Sequence, residues 1–146
     1  MLGSKLKIFT EYVNNIFQSY TQYRFEYSQT DTGRLAFNVS DSITKLTLEP
    51  ERLSGYESII LQLAINQAVG VISSQSRSGF MLVDESLDCI DQLRFIEKLP
   101  EIVEAIRKYY QTILLISHRD VPVDIIDKQL KIAHNNSANY STIYSS

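Results

Sequence analysis

Residue types that often identify a protein class are scarce in this chain of 146 residues. It has one cysteine, Cys89, and two histidines, so it can form neither an internal disulfide nor a cysteine-histidine zinc site. Its five glycines include no Gly-x-x-x-x-Gly-Lys-Ser/Thr pattern, which excludes a phosphate-binding P-loop within these residues. Basic residues do not exceed acidic ones, and a net charge of −3 gives no electrostatic signature of nucleic-acid binding.

Signals for membrane insertion and secretion are also missing. No apolar run approaches the length of a transmembrane helix, and the first residues lack the basic and then apolar pattern of a signal peptide. Together with the single cysteine, this predicts an intracellular protein of a reducing compartment, cytoplasm or nucleus, without a membrane partner. The apolar content of 44% is ordinary for a globular domain that buries a core.

Residues 1–22 have the spacing of an amphipathic helix with a heptad repeat. Apolar residues recur at alternating intervals of four and three, as in the seam of a coiled coil. They are Leu2, Leu6, Phe9, Val13, Ile16 and Tyr20. The pattern predicts either an amphipathic surface helix or the end of a longer coiled coil that enters the chain before Met1.

The segment 23–40 has the pattern of a β-hairpin. Aromatic and polar residues alternate, a polar turn containing Gly33 follows, and the alternation then resumes. Residues 44–48 are candidates for a third strand.

A long apolar helix is predicted over residues 54–72. Ser54 and Glu57 have the spacing of a capping box, in which each side chain bonds the other residue's backbone N–H. After them, apolar residues occur on nearly every side of the helix, which indicates that it is buried in the middle of the domain.

Two short apolar runs, 80–83 and 113–116, are each followed by polar residues. Four consecutive apolar residues are too few for a buried helix and favour strands that are covered on both faces. A helical stretch between the runs makes a β-α-β unit, whose crossover is right-handed and whose strands are parallel. This places Asp84, Glu85 and His118 at the same edge of the sheet, where open α/β sheets bind ligands.

Proline and polar residues set the remaining boundaries. Residues 91–98 predict a short helix, which Leu99-Pro100 interrupts, and Pro100 fits the first position of a second helix.

The last predicted strand is 129–132. Residues 134–146 are rich in Asn, Ser and Tyr without periodicity, and we expect a flexible tail there.

Taken in order, these segments resemble the C-terminal lobe of an ABC-type ATPase head, and in particular the Rad50/SbcC and SMC proteins. The resemblance covers residues 23–132 and rests on four stretches. They are Leu53-Ser54-Gly55-Tyr56-Glu57 opening a buried helix, an apolar strand ending in Asp84-Glu85, Ile90-Asp91, and an apolar strand ending in Ser117-His118.

The resemblance implies an α/β fold, namely the C-terminal half of a P-loop NTPase head. A mostly parallel sheet would be flanked by helices, with an antiparallel β-hairpin and an N-terminal coiled-coil stump. The implied divisions are the coiled-coil end at 1–22, the head lobe at 23–133 and the tail at 134–146. Within the lobe lie the hairpin 23–40, the signature helix 54–72, the Walker B strand 80–85, the D-loop 86–91 and the switch strand 113–118.

The start of the long helix matches the signature motif of this family. A helix N-terminus has unpaired N–H groups and the positive end of the helix dipole, which suit a phosphate. By resemblance, Ser54, Gly55, Tyr56 and Glu57 bind the γ-phosphate of an ATP that a second head holds. Tyr56 stands where the family usually has a second glycine, so its side chain can crowd this site or stack on a neighbour.

Four further residues match family positions. Asp84 matches the Walker B aspartate that holds Mg²⁺, and Glu85 matches the catalytic glutamate that orients and deprotonates the attacking water. Asp91 matches the aspartate of the D-loop. His118 matches the switch histidine, which contacts the γ-phosphate.

The implied activity is Mg²⁺-dependent ATP hydrolysis between two heads, in a protein that repairs DNA double-strand breaks. Because the P-loop is absent, the chain needs the N-terminal Walker A lobe as a partner, and we expect no hydrolysis by the chain alone. Further implied partners are a second head in an ATP-sandwiched dimer, a nuclease of the Mre11/SbcD kind, and DNA bound through the assembled complex. The alternatives are an SMC-type ATPase of chromosome organisation and a non-catalytic dimerisation scaffold derived from such a head.

Overall fold

The structure, a computed structural model, describes residues 2–30, 32–73, 79–84, 90, 92–135 and 140–145. It confirms the predicted mixture of helices and strands. In chain order the elements are α1 Leu2–Tyr20, β1 Tyr23–Gln29, β2 Leu35–Asp41, β3 Thr47–Leu48, α2 Gly55–Ile72, β4 Phe80–Asp84, α3 Gln92–Arg107, β5 Thr112–Ile116, β6 Leu130–Asn135 and β7 Tyr140–Ser145. No helix in these ranges is long and apolar enough to cross a membrane.

The predicted hairpin is present as an antiparallel sheet in the order β1-β2-β3. Its register pairs Phe25 with Val39, and both side chains are buried because they share the face that meets the helices. The third strand is only Thr47–Leu48, shorter than the predicted segment. In the turn between the first two strands, Gly33 has a φ of 77°, which glycine adopts without steric cost.

Helix α1 packs against both β1 and α2. Val13, Ile16 and Phe17 are buried, so the second half of the heptad seam belongs to the core of this domain. Between them, the buried Asn14 donates from Nδ2 to the Phe25 carbonyl at 2.8 Å and accepts the Phe25 N–H at Oδ1, also at 2.8 Å. The amide therefore satisfies both backbone groups of one residue on the edge strand and fixes α1 against the sheet. A coiled coil in the first half of α1 stays a prediction.

Helix α2 is the central element, in contact with α1 on one side and α3 on another. Ile60, Leu63 and Ala64 are completely buried, as expected from apolar residues on nearly every side.

The prediction of two helices around Pro100 is wrong, because α3 is continuous from Gln92 to Arg107 and contains Pro100. Proline in a helix interior removes one hydrogen bond and clashes with the preceding turn. Here the apolar stripe continues across the proline and is buried, and this burial offsets the cost. The stripe consists of Phe95, Leu99, Ile102 and Ile106.

Strands β4 and β5 are parallel, as predicted, and pair from Phe80 with Thr112 to Asp84 with Ile116. Within the residues described, the expected parallel sheet consists of these two strands, and the other strand pairs are antiparallel. The second strand is also shorter than predicted. It ends at Ile116, and His118 lies beyond it because the Arg119 N–H donates to Ser117 Oγ at 3.0 Å and bends the chain.

Residues 134–146, for which we expect a flexible tail, include strand residues that the sequence did not predict, because β6 extends to Asn135 and β7 follows. β6 and β7 form an antiparallel hairpin in which Ile132 pairs with Ile143. Aromatic and β-branched residues in 140–145 favour a strand, although their pattern is too short to identify from sequence.

Replacing Asn14 with aspartate tests the bond between α1 and β1. The Asn14→Asp variant loses the donor to the Phe25 carbonyl and buries a carboxylate beside it, so we expect a loss of about 2–4 kcal/mol in the free energy of unfolding. Urea unfolding followed by circular dichroism measures this loss. The matched control, Asn15→Asp, changes an exposed neighbour and should be nearly neutral. Equal stability of the two variants would contradict the role of Asn14.

Candidate nucleotide-binding site

Two of the predicted site residues lie at the carboxyl edge of the parallel pair. Asp84 ends β4 opposite Ile116, the last residue of β5, and His118 follows two residues later. Both Asp84 and His118 are exposed. The structure thus brings these two residues to one edge, whereas Glu85 and Asp91 lie outside the described residues.

Arg119 joins the chain segments that follow the two strands. Its Nη1 donates to the carbonyl of the buried Ile90 at 2.6 Å, and its guanidinium lies 5.2 Å from the centre of the Phe95 ring. The arginine therefore holds the segment after β5 against the segment that leads into α3. Sequence analysis missed this residue, and its position directly after His118 was the only available signal.

The start of α2 has the predicted capping box. Ser54 is the N-cap with extended backbone angles, and Glu57 Oε2 accepts the Ser54 N–H at 2.7 Å. Ser54 is exposed, so the positive end of the helix dipole faces a surface that an anion can reach. Gly55 and Tyr56 are the first two residues of the helix.

The Tyr56 side chain contacts α3. Its hydroxyl donates to Glu101 Oε2 at 3.0 Å, and Lys98 Nζ lies 5.2 Å from the centre of its ring. Lys98 Nζ also donates to both carboxylate oxygens of Glu101 at 3.2 Å. Burial, followed by the hydrogen bond to Glu101, raises the pKa of Tyr56, so the hydroxyl remains a donor at physiological pH. The i,i+3 spacing of Lys98 and Glu101 indicates their ion pair, but nothing in the sequence indicated the contact with Tyr56.

The edge residues and the start of α2 are separate on this chain. Helix α3 begins directly after the segment that follows β4, and Glu101 is nine residues along it. At a rise of 1.5 Å per residue, Tyr56 contacts α3 about 14 Å along its axis from the helix start. The start of α2 therefore lies beside the middle of α3 and not beside the start of that helix.

One face of the parallel pair is apolar and exposed. The inward side chains, including Val83, pack into or against the core. The opposite face, which we call the outer face, carries four apolar side chains that are 40–51% exposed, and Asp84 lies on the same face. These are Phe80, Leu82, Leu114 and Ile116.

Among the described residues of this edge, the carboxylate of Asp84 is a candidate ligand for a magnesium ion. Among the described residues, no group of three or more His, Cys, Asp or Glu side chains could hold a metal ion. Mg²⁺ does not require such a group, since it commonly takes one or two carboxylates and completes its shell with water and substrate phosphates. The exposed Asp84 at a strand end fits this requirement.

Sequence comparison gives one distant relative. No family model matches the chain. It is 26% identical over 134 residues to Uncharacterized protein R555 of Acanthamoeba polyphaga mimivirus. The match covers 82% of this chain, which spans about a tenth of the length of that protein.

Solved structures of SMC ATPase heads are similar to this chain. An SMC ATPase studied for ATP-driven dimerisation and DNA-stimulated activation has a TM-score of 0.67 and 17% identity, over 96% of this chain and 84% of that one. An Smc head bound to the C-terminal winged-helix domain of ScpA has a TM-score of 0.64 and 19% identity, and the match covers 96% of this chain and 43% of that one. The Smc head of Pyrococcus furiosus, bound to the C-terminal domain of ScpA, has a TM-score of 0.62 and 20% identity, and the match covers 97% of this chain and 35% of that one. The chain therefore has the fold of part of an SMC head.

Replacing Glu57 with alanine tests the cap of α2. The Glu57→Ala variant loses the acceptor for the Ser54 N–H, so we expect the helix start to open more easily by about 1 kcal/mol. Hydrogen exchange of the Ser54 amide should accelerate about fivefold, while exchange in the middle of α2 should not change. Glu57→Gln keeps an oxygen acceptor and serves as the control. If Glu57→Ala left the Ser54 amide equally protected, the capping role would be refuted.

Proposed function

We propose that this chain is the C-terminal part of an SMC-like ATPase head, which hydrolyses ATP after assembly with a P-loop-bearing lobe and a second head. The proposal rests on the parallel pair β4–β5, which has Asp84 and His118 at one carboxyl edge, within a fold similar to SMC heads. Ligands of open α/β sheets bind at this edge.

At this edge, the residues divide the work of hydrolysis. Asp84 would hold Mg²⁺, and a metal ion bound there would supply neutralisation of charge on the phosphates. Glu85 follows Asp84 in sequence and accepts a proton from the attacking water. His118 donates a hydrogen bond to the γ-phosphate. Hydrolysis needs one acid that binds the metal and a second acid that faces the attacking water. Asp84 and Glu85 can take these two roles because adjacent residues at a strand end can point in different directions.

The start of α2 binds a different nucleotide. Ser54, Gly55, Tyr56 and Glu57 present the helix N-terminus to the γ-phosphate of an ATP held by the second head. The contact of Tyr56 with Glu101, about 14 Å along α3 from the start of that helix, supports this arrangement, because the start of α2 then lies beside the middle of α3 and not beside its start. Asp91 precedes α3 and acts at the same interface between heads.

The outer face of β4–β5 receives the Walker A lobe. Four exposed apolar side chains on a parallel pair require cover, because parallel sheets are normally buried on both faces. A lobe that contributes the P-loop and additional strands would supply this cover and place the phosphates beside Asp84. A longer polypeptide that contains both lobes and a coiled coil entering α1 fits the small share of the mimivirus protein that the chain matches.

The biological setting we favour is chromosome organisation, because the similar structures described above are SMC heads. A partner with a winged-helix domain, as in the ScpA complexes, belongs to this proposal. The second candidate is a Rad50/SbcC-like repair ATPase with a nuclease partner. In both cases, DNA is bound by the assembled complex, since the chain has a net charge of −3. Affinity purification of the complete protein distinguishes the two by the partner it retains.

Replacing Glu85 with glutamine tests the enzymatic proposal. In the complete protein, Glu85→Gln should leave nucleotide binding intact and lower Mg·ATP turnover by a factor of about 100 or more, because the general base is lost. Phosphate release measures turnover, and Glu97→Gln, an exposed glutamate on α3, is the control. We expect no turnover by the chain alone. Unchanged turnover in Glu85→Gln would refute the assigned role.

Replacing Leu114 with aspartate tests the outer face. Leu114→Asp would bury a carboxylate against the Walker A lobe, so its affinity for that lobe should fall at least about tenfold, as analytical ultracentrifugation can measure. The control is Ile43→Asp, which changes a residue of the β2–β3 turn that is 72% exposed. Equal affinities of the two variants would show that the outer face is not the contact.

A further inference from the structure

Tyr56 makes an unusual connection for a residue in the first turn of a helix. It is the second residue of α2, yet its hydroxyl bonds Glu101, which is 45 residues away in sequence. Among the described hydrogen bonds between side chains, this is the one that links α2 to α3. The apolar contacts between the same helices are non-directional and do not by themselves fix how the start of α2 is placed.

The carboxylates of Glu57 and Glu101 and the ammonium group of Lys98 lie around Tyr56. Glu101 alone would place a negative charge near the helix end that we propose for a phosphate, and Lys98 neutralises it at 3.2 Å. The lysine also lies over the tyrosine ring, so each of the three side chains contacts the other two. The side chains of Lys98 and Glu101 are 32% and 48% exposed, and such pairs add little to stability. We therefore expect these contacts to affect the position of Tyr56 more than the free energy of unfolding.

We propose that Tyr56 is a positioning residue, which, by donating to Glu101, holds the start of α2 at a fixed place on α3. Because α3 begins just after Asp91, this bond links the signature end of α2 to the helix that follows the acidic strand end. Tyr56 thus aligns Ser54 and the first N–H groups for a phosphate on the second head. This inference rests on the proposed function.

The test is a double-mutant cycle in the complete protein. Heads are assembled with Mg²⁺ and a non-hydrolysable ATP analogue, and the dissociation constant of the dimer is measured by sedimentation. Tyr56→Phe and Glu101→Ala should each weaken the dimer about three- to tenfold, which corresponds to one lost hydrogen bond to a charged group. The double variant should be no weaker than either single variant, because both remove the same bond.

Two further variants separate positioning from general damage. Glu101→Gln keeps an oxygen acceptor and should stay within about twofold of the unmodified protein. Tyr20→Phe removes a comparable hydroxyl, which accepts from Lys108, the residue directly after α3, at 2.8 Å with the lysine 5.2 Å from the ring centre. Since the described bond of this hydroxyl is to Lys108 and not to Glu101, this control should leave the dimer unchanged.

The outcomes distinguish this inference from the function on which it rests. If the unmodified heads form the nucleotide-dependent dimer but Tyr56→Phe binds equally well, or if the two losses add, Tyr56 is not a positioning residue and the proposed function stands. If the unmodified protein forms no such dimer, both are overturned. Weakening by Tyr56→Phe together with non-additivity and rescue by Glu101→Gln supports the inference.

Discussion

The parallel pairing of β4 and β5 is the constraint on which the candidate site depends. It places Asp84 and the segment with His118 at one edge, and among the described residues one face of the pair is buried while the other is partly exposed. Burial of Val83 against the core holds the pair in place from inside. On the outer face, four apolar side chains are 40–51% exposed, and the carboxylate that we assign to magnesium lies on the same face. Any partner that covers them also approaches Asp84, so completing the sheet and completing the site are one event.

Most elements could be predicted because their patterns reflect local geometry. The alternation in 23–40 follows from one buried face of a hairpin, and the start of α2 follows from the capping pair Ser54 and Glu57. Prediction failed where contacts between residues far apart in sequence determine the structure. The penalty of Pro100 is local, whereas the burial of the stripe around it depends on packing with α2, β5 and the core. The final hairpin likewise depends on the register between two strands, which neither strand specifies alone.

The same distinction applies to the candidate site. Asp84 and His118 could be predicted from the rule that parallel strands end at a common edge, and the start of α2 from its cap. The bonds from Tyr56 to Glu101 and from Arg119 to Ile90 could not, because they join residues 45 and 29 positions apart. Such partners are chosen by helix packing, which spacing along the sequence does not reveal. Even so, Tyr56 was identified as the departure from the family pattern, and the structure gives its side chain a partner away from the strand edge.

Directional polar bonds at element junctions set the geometry that the apolar core leaves free. Asn14 fixes α1 on the edge strand, Tyr56 links the start of α2 to α3, and Arg119 links the segment after β5 to Ile90. The core favours compactness, but apolar burial is non-directional, so small sliding of one helix on another costs little. A site divided between two chains tolerates less sliding, because each half must meet a phosphate held by the other within hydrogen-bond distance. Junction bonds of this kind are therefore most valuable where the proposed phosphate contacts lie.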